Sequence, residues 1–130
     1  MAMLVQYNED GAGIKIPIEK QQIHIGRDSA NEISIDDELV SKVHAVIEVV
    51  LISEKDGRVE YYIQDLDSTN HTFVNDETIK LHKLRNDDII RFGMNNFKFV
   101  DEAEGELDET AKLHKTWIPG VFFTKGKKKK

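Results

Sequence analysis

Short apolar segments separated by turn residues constrain the fold of this chain more than any other feature. Ile14 to Ile18 and Ile33 to Ile35 alternate apolar and polar residues, as half-buried strands do. Ala45 to Ile52 is rich in β-branched residues, and a turn with Asp56-Gly57 joins it to a second predicted strand over Val59 to Leu66. Helical periodicity is absent until the C-terminal part. Many short strands with closely spaced turns predict an all-β sandwich or barrel.

The remaining strands and turns follow the same pattern. Pro17 predicts that its strand lies at a sheet edge, since proline cannot donate a ladder hydrogen bond. Further strands are predicted over Leu4 to Tyr7, Ile23 to Ile25, Phe73 to Val74, Thr78 to Ile79, Ile89 to Phe92 and Phe97 to Val100. Turns are predicted at Asn8 to Gly13, Asn75 to Asp76, Asn86 to Asp88 and Gly93 to Asn96. Function in such folds is carried by loops at one end of the sheets.

Composition narrows the class of protein. The 130 residues predict one domain over residues 1–100 and a short charged C-terminal extension over residues 101–130. There are no cysteines, which excludes disulfides, cysteine-ligated zinc and thiol catalysis. A net charge of −6 argues against nucleic-acid and anionic-membrane binding, which need a positive field. No signal peptide or long apolar run is present, so we expect an intracellular protein, cytoplasmic or nuclear.

The extension is polarised. Acidic residues are concentrated in its first part, and its last four residues are lysines, Lys127 to Lys130. Such charge blocks are typical of mobile tails. Thr116 to Thr124 is unusually apolar for a free tail, which leaves docking on the domain or on a partner as an alternative.

Three predicted loops carry hydrogen-bond donors without a nearby catalytic base. They are Gly26-Arg27 after one strand, Ser41 to His44 before the longest strand, and Asp65 to Asn75 between two others. Together they supply a guanidinium, an ammonium, hydroxyls and an amide. This donor set is suited to an anion, because arginine binds phosphate oxygens in a bidentate manner and lysine adds a point charge.

In this order, the three segments resemble the forkhead-associated (FHA) domain family. The family pattern is Gly-Arg, then Ser-x-x-His, then Ser-x-Asn-Gly-Thr-x-Val-Asn. Here these are Gly26-Arg27, Ser41-Lys42-Val43-His44 and Ser68 to Asn75. The resemblance covers about residues 3 to 100. It implies an eleven-stranded, largely antiparallel β-sandwich that recognises phosphothreonine peptides.

The resemblance also implies roles for single residues. Arg27, Ser41, Lys42 and Thr69 would contact the phosphate, and Asn70 would bind the peptide main chain beside it. His44 would brace the binding loops, while Gly26 and Asn75 would support the site structurally. One position departs from the family, because His71 stands where the pattern has glycine. Histidine tolerates the left-handed conformation better than most residues, so the loop is expected to survive. Whether His71 itself contacts the ligand stays open.

We therefore expect a phosphothreonine-dependent binding module for protein or peptide partners, not an enzyme, with no cofactor and no metal. Ser41 and His44 lack the nucleophile elbow of a hydrolase, and Gly11-Ala12-Gly13 lacks the lysine of a nucleotide loop. Two alternatives remain. One is a phospho-independent scaffold or oligomerisation domain. The other is self-association, in which a tail phosphorylated at Thr110, with Leu113 three residues later, binds its own or a neighbouring domain.

Overall fold

The described part of the chain contains eleven β-strands. A computed structural model describes residues 2–7 and 13–103. The strands are β1 (Ala2–Tyr7), β2 (Ile14–Pro17), β3 (Gln22–Gly26), β4 (Ile33–Ser34), β5 (Ala45–Ser53), β6 (Arg58–Asp65), β7 (Thr72–Val74), β8 (Glu77–Ile79), β9 (Leu81–Lys83), β10 (Ile89–Phe92) and β11 (Asn95–Asp101). The predicted turn at Asn8 to Gly13, the apolar segment Thr116 to Thr124 and the self-recognition threonine Thr110 fall wholly or mostly outside the described residues.

The strands form two sheets. One has six strands in the order β2-β1-β11-β10-β7-β8, and the other has five in the order β4-β3-β5-β6-β9. Neighbouring strands pair in antiparallel fashion, except for β3 and β4, which run parallel over two residues. The predicted all-β sandwich is therefore confirmed, and so is the edge position of the strand that contains Pro17.

The core lies between the inner faces of the two sheets. The six-stranded sheet contributes Leu4, Ile90 and three phenylalanines, of which Phe92 packs edge-on against Phe97. The five-stranded sheet contributes side chains that are wholly buried in the middle of its strands, such as Ile47 and Ile63. These residues occupy alternate positions along their strands, so the period of two in the sequence becomes one buried and one outer face.

Three local features differ from the prediction or refine it. The strand Leu81–Lys83 was not predicted; it is three residues long and Leu81 is 63% exposed, so it has no apolar alternation to detect. The β5–β6 turn forms as predicted, with Gly57 at a φ of 70° that glycine adopts readily. β11 extends to Asp101, one residue past the predicted end of the domain.

The topology brings the polar loops to one end of the sandwich. β3 ends and β5 begins there, and β6 runs towards the same end, since β5 and β6 are antiparallel from Ala45 opposite Asp65. The turn between β10 and β11 also reaches this end, where Met94 donates its backbone N–H to Asp37. β11 then carries the chain back to the opposite end, where Asp101 pairs with Ala2.

Candidate functional site

The segment from Leu39 to His44 is the centre of the polar loop cluster, because both other loops bind to it. The loop after β3 is joined to it by backbone hydrogen bonds from Arg27 N to Ser41 O (2.9 Å) and from Asp28 N to Lys42 O (3.2 Å). The loop after β6 is joined to it by bonds from Asn70 Nδ2 to Leu39 O (2.9 Å) and from Thr69 N to Ser41 Oγ (3.1 Å). The three predicted segments therefore meet in one place.

Gly26 allows two of these segments to approach each other closely. A Cβ atom at this position would lie 2.2 Å from the backbone oxygen of Lys42 and 2.8 Å from Asn31 Nδ2. The contact with Lys42 O is sterically impossible without movement of the backbone. The glycine is therefore required by close approach rather than by an unusual φ.

The buried side chain of His44 connects the segment from Leu39 to His44 with the loop after β6. Its side chain is fully buried and lies edge-on to Phe92 at 5.5 Å between ring centroids. Nδ1 accepts the backbone N–H of Ser41 at 3.0 Å, so the ring proton must be on Nε2, which lies 2.9 Å from His71 O. Both ring nitrogens are thus used inside the protein, which is the geometry that a bracing residue needs.

The five predicted ligand-binding residues line one shallow depression. Its volume is about 360 Å³, and it is lined by Arg27, Glu38, Leu39, Val40, Ser41, Lys42, Thr69 and Asn70. Arg27 is exposed, but its Nε is fixed by a hydrogen bond to Val40 O at 3.0 Å. This bond orients the guanidinium and leaves its two Nη groups without a partner among the described residues.

The positive charge of the depression is not neutralised by ion pairs. Over residues 2–7 and 13–103, neither Arg27 nor Lys42 forms a salt bridge. Asp28, the neighbour best placed in sequence to pair with Arg27, instead accepts the backbone N–H of Ala30. Two cations in an open depression that form no ion pair with the described residues are available to an external anion.

Ser41 keeps its hydroxyl proton available. Its Oγ accepts the N–H of Thr69, so the hydroxyl remains free to donate to a ligand oxygen.

We expect Ser41→Ala to weaken binding of a phosphothreonine peptide about tenfold, since one charge-assisted bond is lost and the Thr69 N–H loses its acceptor. Isothermal calorimetry measures this change. Ser29→Ala, an exposed position on the loop after β3 that does not line the depression, is the control; equal affinities of both variants would contradict the role.

A buried carboxylate that we did not predict organises the loop after β6. Asp65 accepts hydrogen bonds from Ser68 Oγ, from Ser68 N at 3.1 Å and from Thr72 Oγ1 at 2.7 Å. Burial alone would raise the pKa of Asp65, but the bonds from Ser68 and Thr72 outweigh it and hold the pKa below its ordinary 3.8. The stability that these bonds contribute is therefore present at neutral pH and is lost as the pH falls through the lowered pKa. An Asp three residues before a Ser in a turn is the signal that sequence reasoning missed.

A second unpredicted carboxylate anchors the central segment. Asp37 accepts the N–H of Leu39 at 2.9 Å, the N–H of Met94 at 3.0 Å and Asn95 Nδ2 at 2.8 Å. The hydrogen bonds from Met94 and Leu39 lower its pKa below the ordinary value. Asp37 thus fixes the chain just before Leu39 to the β10–β11 turn, which no local pattern in the sequence indicates.

His71 adopts the left-handed conformation, with a φ of 65°. Its backbone oxygen faces His44 Nε2, while its side chain is exposed and does not line the depression.

We expect His71→Gly to keep phosphopeptide affinity within about twofold, because glycine adopts this φ without strain and the backbone contact is retained. Calorimetric titration of both proteins checks this. A large loss of affinity would instead make the imidazole part of the binding site.

Asn75 does not belong to the cluster. It lies in the β7–β8 turn, beyond the end of β7 that is remote from His71, with a φ of 51°. Its Nδ2 donates to Asp88 Oδ1 and its Oδ1 accepts the N–H of Ile89, each at 3.0 Å. The contacts are structural, but they hold β10 and not the binding loops.

The sandwich and its loop cluster define a β-sandwich recognition fold of the FHA class. Residues 23–93, more than half of the chain, match the family model of the FHA domain. The chain belongs to the FHA domain family, and the resemblance predicted from Gly26-Arg27, Ser41 to His44 and Ser68 to Asn75 is confirmed.

Several solved structures, two of them FHA domains, are similar to this chain over most of its length. The MEK1 FHA domain in complex with a HOP1 phosphothreonine peptide is 27% identical with a TM-score of 0.65, over 78% of this chain and 96% of that one. The FhaA FHA domain in complex with the intracellular domain of Rv3910 is 25% identical with a TM-score of 0.63, over 76% and 99%. EmbR of Mycobacterium tuberculosis, in complex with a low-affinity phosphopeptide, is 29% identical with a TM-score of 0.59, over 75% of this chain and 24% of that one.

The described residues hold no group of three or more histidine or acidic side chains arranged to bind a metal ion. Nor does this part of the chain contain a helix with the length and apolar character needed to cross a membrane.

Proposed function

We propose that this FHA domain is a phosphothreonine-dependent binding module that recognises phosphorylated segments of partner proteins through the depression around Arg27. The observation that supports this most strongly is the pair of cations, Arg27 and Lys42, which form no ion pair with the described residues and lie in an open depression with hydroxyl and amide donors. The MEK1 FHA domain binds a phosphothreonine peptide and EmbR binds a phosphopeptide, which agrees with this assignment.

The chemistry of the depression matches a phosphate group. A phosphothreonine carries about −1.5 to −2 charges at neutral pH and three acceptor oxygens. Arg27 offers Nη donors held in place by the Nε bond to Val40, Lys42 offers an exposed ammonium, and Ser41 offers a hydroxyl proton. Each charge-assisted bond contributes about 1.5 to 3 kcal/mol when well formed. Thr69, whose hydroxyl has no partner among the described residues, supplies one more neutral donor.

Asn70 has a double role in this proposal. One of its amide hydrogens is used to hold Leu39 O, so the side chain is fixed across the edge of the depression. Its second N–H and its Oδ1 remain free to pair with a peptide N–H and C=O. A side chain fixed in this way binds the main chain beside the phosphothreonine with little further loss of conformational entropy.

The assignment is to binding rather than catalysis. His44 is the histidine hydrogen-bonded to Ser41, and both of its ring nitrogens are hydrogen-bonded to backbone groups. It therefore has no free nitrogen with which to activate Ser41 as a nucleophile. The same bonds provide the bracing that we assign to it.

Three peptides that differ in one residue test the function. A phosphothreonine peptide selected from a library with randomised flanking positions is compared with its phosphoserine and unmodified threonine forms by calorimetry. We expect binding of the phosphothreonine form and no measurable binding of the unmodified one. Equal binding of the phosphorylated and unmodified forms would replace this proposal with a phospho-independent scaffold.

A further inference from the structure

The depression proposed to bind phosphate also contains one carboxylate, whose negative charge would repel a phosphate group. Glu38 lines the same depression as Arg27, Ser41 and Lys42. It is exposed, and among the described residues it has neither a hydrogen bond nor a salt bridge. Its role in the folded domain is therefore not that of a structural anchor.

The position of Glu38 is nevertheless fixed by its neighbours. Asp37, on its N-terminal side, is held to the β10–β11 turn by Met94 and Asn95. Leu39, on its C-terminal side, accepts Asn70 Nδ2, and the N–H of Val40 binds Asp37 O at 2.9 Å. Two adjacent carboxylates thus have opposite environments. Asp37 is saturated with hydrogen bonds, whereas Glu38 projects its charge from an ordered segment with nothing bound to it.

The charges of the depression do not balance those of a phosphate alone. Arg27 and Lys42 give two positive charges and Glu38 removes one, which leaves a local sum of about +1 against a ligand group of about −2. The chain as a whole carries a net charge of −6, which adds to the repulsion of acidic ligands. A ligand with a cation close to its phosphate would neutralise Glu38 as well as using Arg27 and Lys42.

We propose that Glu38 is a specificity-determining residue that selects phosphothreonine segments with a lysine or arginine within a few residues of the phosphorylated one. This inference rests on the proposed function, since it concerns the partner of the same site. Glu38 pairs with the basic side chain and repels an acidic one at the same peptide position. Discrimination of this kind uses both attraction of the correct ligand and repulsion of the wrong one.

A charge scan of the ligand tests the proposal. The probe is the phosphothreonine peptide selected from the library, with every flanking charged residue changed to alanine. A single lysine or glutamate is then placed at each position from three before to four after the phosphothreonine. At one position or two adjacent ones, the wild type should bind the lysine peptide about two- to fivefold more tightly than the alanine peptide, and the glutamate peptide more weakly by a similar factor.

The Glu38 variants assign the effect to this side chain. Glu38→Gln should remove most of the preference at that position, and Glu38→Lys should reverse it, while the other positions stay unchanged. Asp36→Asn is the matched control, because Asp36 is an exposed acid two residues away that does not line the depression and its replacement makes the same charge change. The control should retain the wild-type preference.

The outcomes separate this inference from the function on which it rests. If the wild type fails to bind the parent phosphopeptide, the proposed function itself is wrong. If it binds the parent peptide but Glu38→Gln and Asp36→Asn change the charge preference equally, Glu38 acts only through the overall charge and the inference is overturned. The inference is also overturned if the wild type shows no lysine preference at any position.

Discussion

Replacing Arg27 with alanine is expected to weaken phosphothreonine-peptide binding about 100-fold or more. Its free Nη groups provide the planar pair of donors in the depression, and two charge-assisted bonds to phosphate are lost together. Arg27→Lys should recover a small part of the affinity, since an ammonium keeps the charge but cannot donate in a bidentate manner. Titration calorimetry with one phosphothreonine peptide gives the three affinities.

Two controls show whether Arg27→Ala loses affinity through a loss of stability or through a change in overall charge. Arg27→Ala removes the Nε bond to Val40 O, so the free energy of unfolding should fall by only about 1 kcal/mol. Arg58→Ala makes the same charge change at the exposed start of β6, at the other end of the sandwich, and should leave affinity nearly unchanged. If Arg58→Ala weakened binding as much as Arg27→Ala, or if Arg27→Ala bound normally, the phosphate would not lie at Arg27.

His44→Ala is expected to produce the largest loss of stability, about 2 to 5 kcal/mol, together with a loss of affinity. The substitution leaves a cavity beside Phe92 and removes the partners of Ser41 N and His71 O. The loops on both sides of the depression then lose their common support. Chemical denaturation measures the stability, and calorimetry at a temperature where the variant is folded measures the affinity.

The alternative role for His44 gives a different result. A residue that contacts only the ligand would lose affinity and keep full stability. His24→Ala is the control for loss of a histidine, because His24 lies on β3 outside the depression and pairs with Glu32 at the surface. It should leave the affinity unchanged and alter the stability little. A fully stable His44→Ala protein that does not bind would contradict the bracing role.

The elements that the sequence predicts well are those whose signal is local. Alternation of apolar residues locates the long strands β5 and β6, and Asp56-Gly57 locates the turn between them. Strand β9 escapes because Leu81 is mostly exposed and the strand is held by pairing with β6, which lies far from it in the sequence. Strand β9 forms because it pairs with β6, and a segment of three residues is too short to carry a pattern that predicts this pairing.

The same distinction applies to the site. Arg27, Ser41, Lys42, Thr69 and Asn70 follow from the family pattern, and the structure brings all five into one depression. Asp37 and Asp65 follow from neither composition nor that pattern, because their importance lies in their hydrogen bonds. Asp37 binds Met94, 57 residues away, and acidic residues in a loop ordinarily indicate only solvent exposure. Glu38, whose proposed role depends on a ligand, is overlooked because an acid in an exposed loop ordinarily indicates only solvent exposure.

The central claim is that the phosphorylated threonine binds in the depression between the three loops. Nuclear magnetic resonance spectra of the labelled domain, recorded while the phosphothreonine peptide is added, test it most directly. The account predicts that the largest shifts in backbone amide signals fall at Arg27, Ser41, Lys42, Thr69 and Asn70, and that the unmodified threonine peptide produces none. Shifts concentrated on the β5–β6 hairpin at the other end of the sandwich, or equal shifts with both peptides, would contradict it.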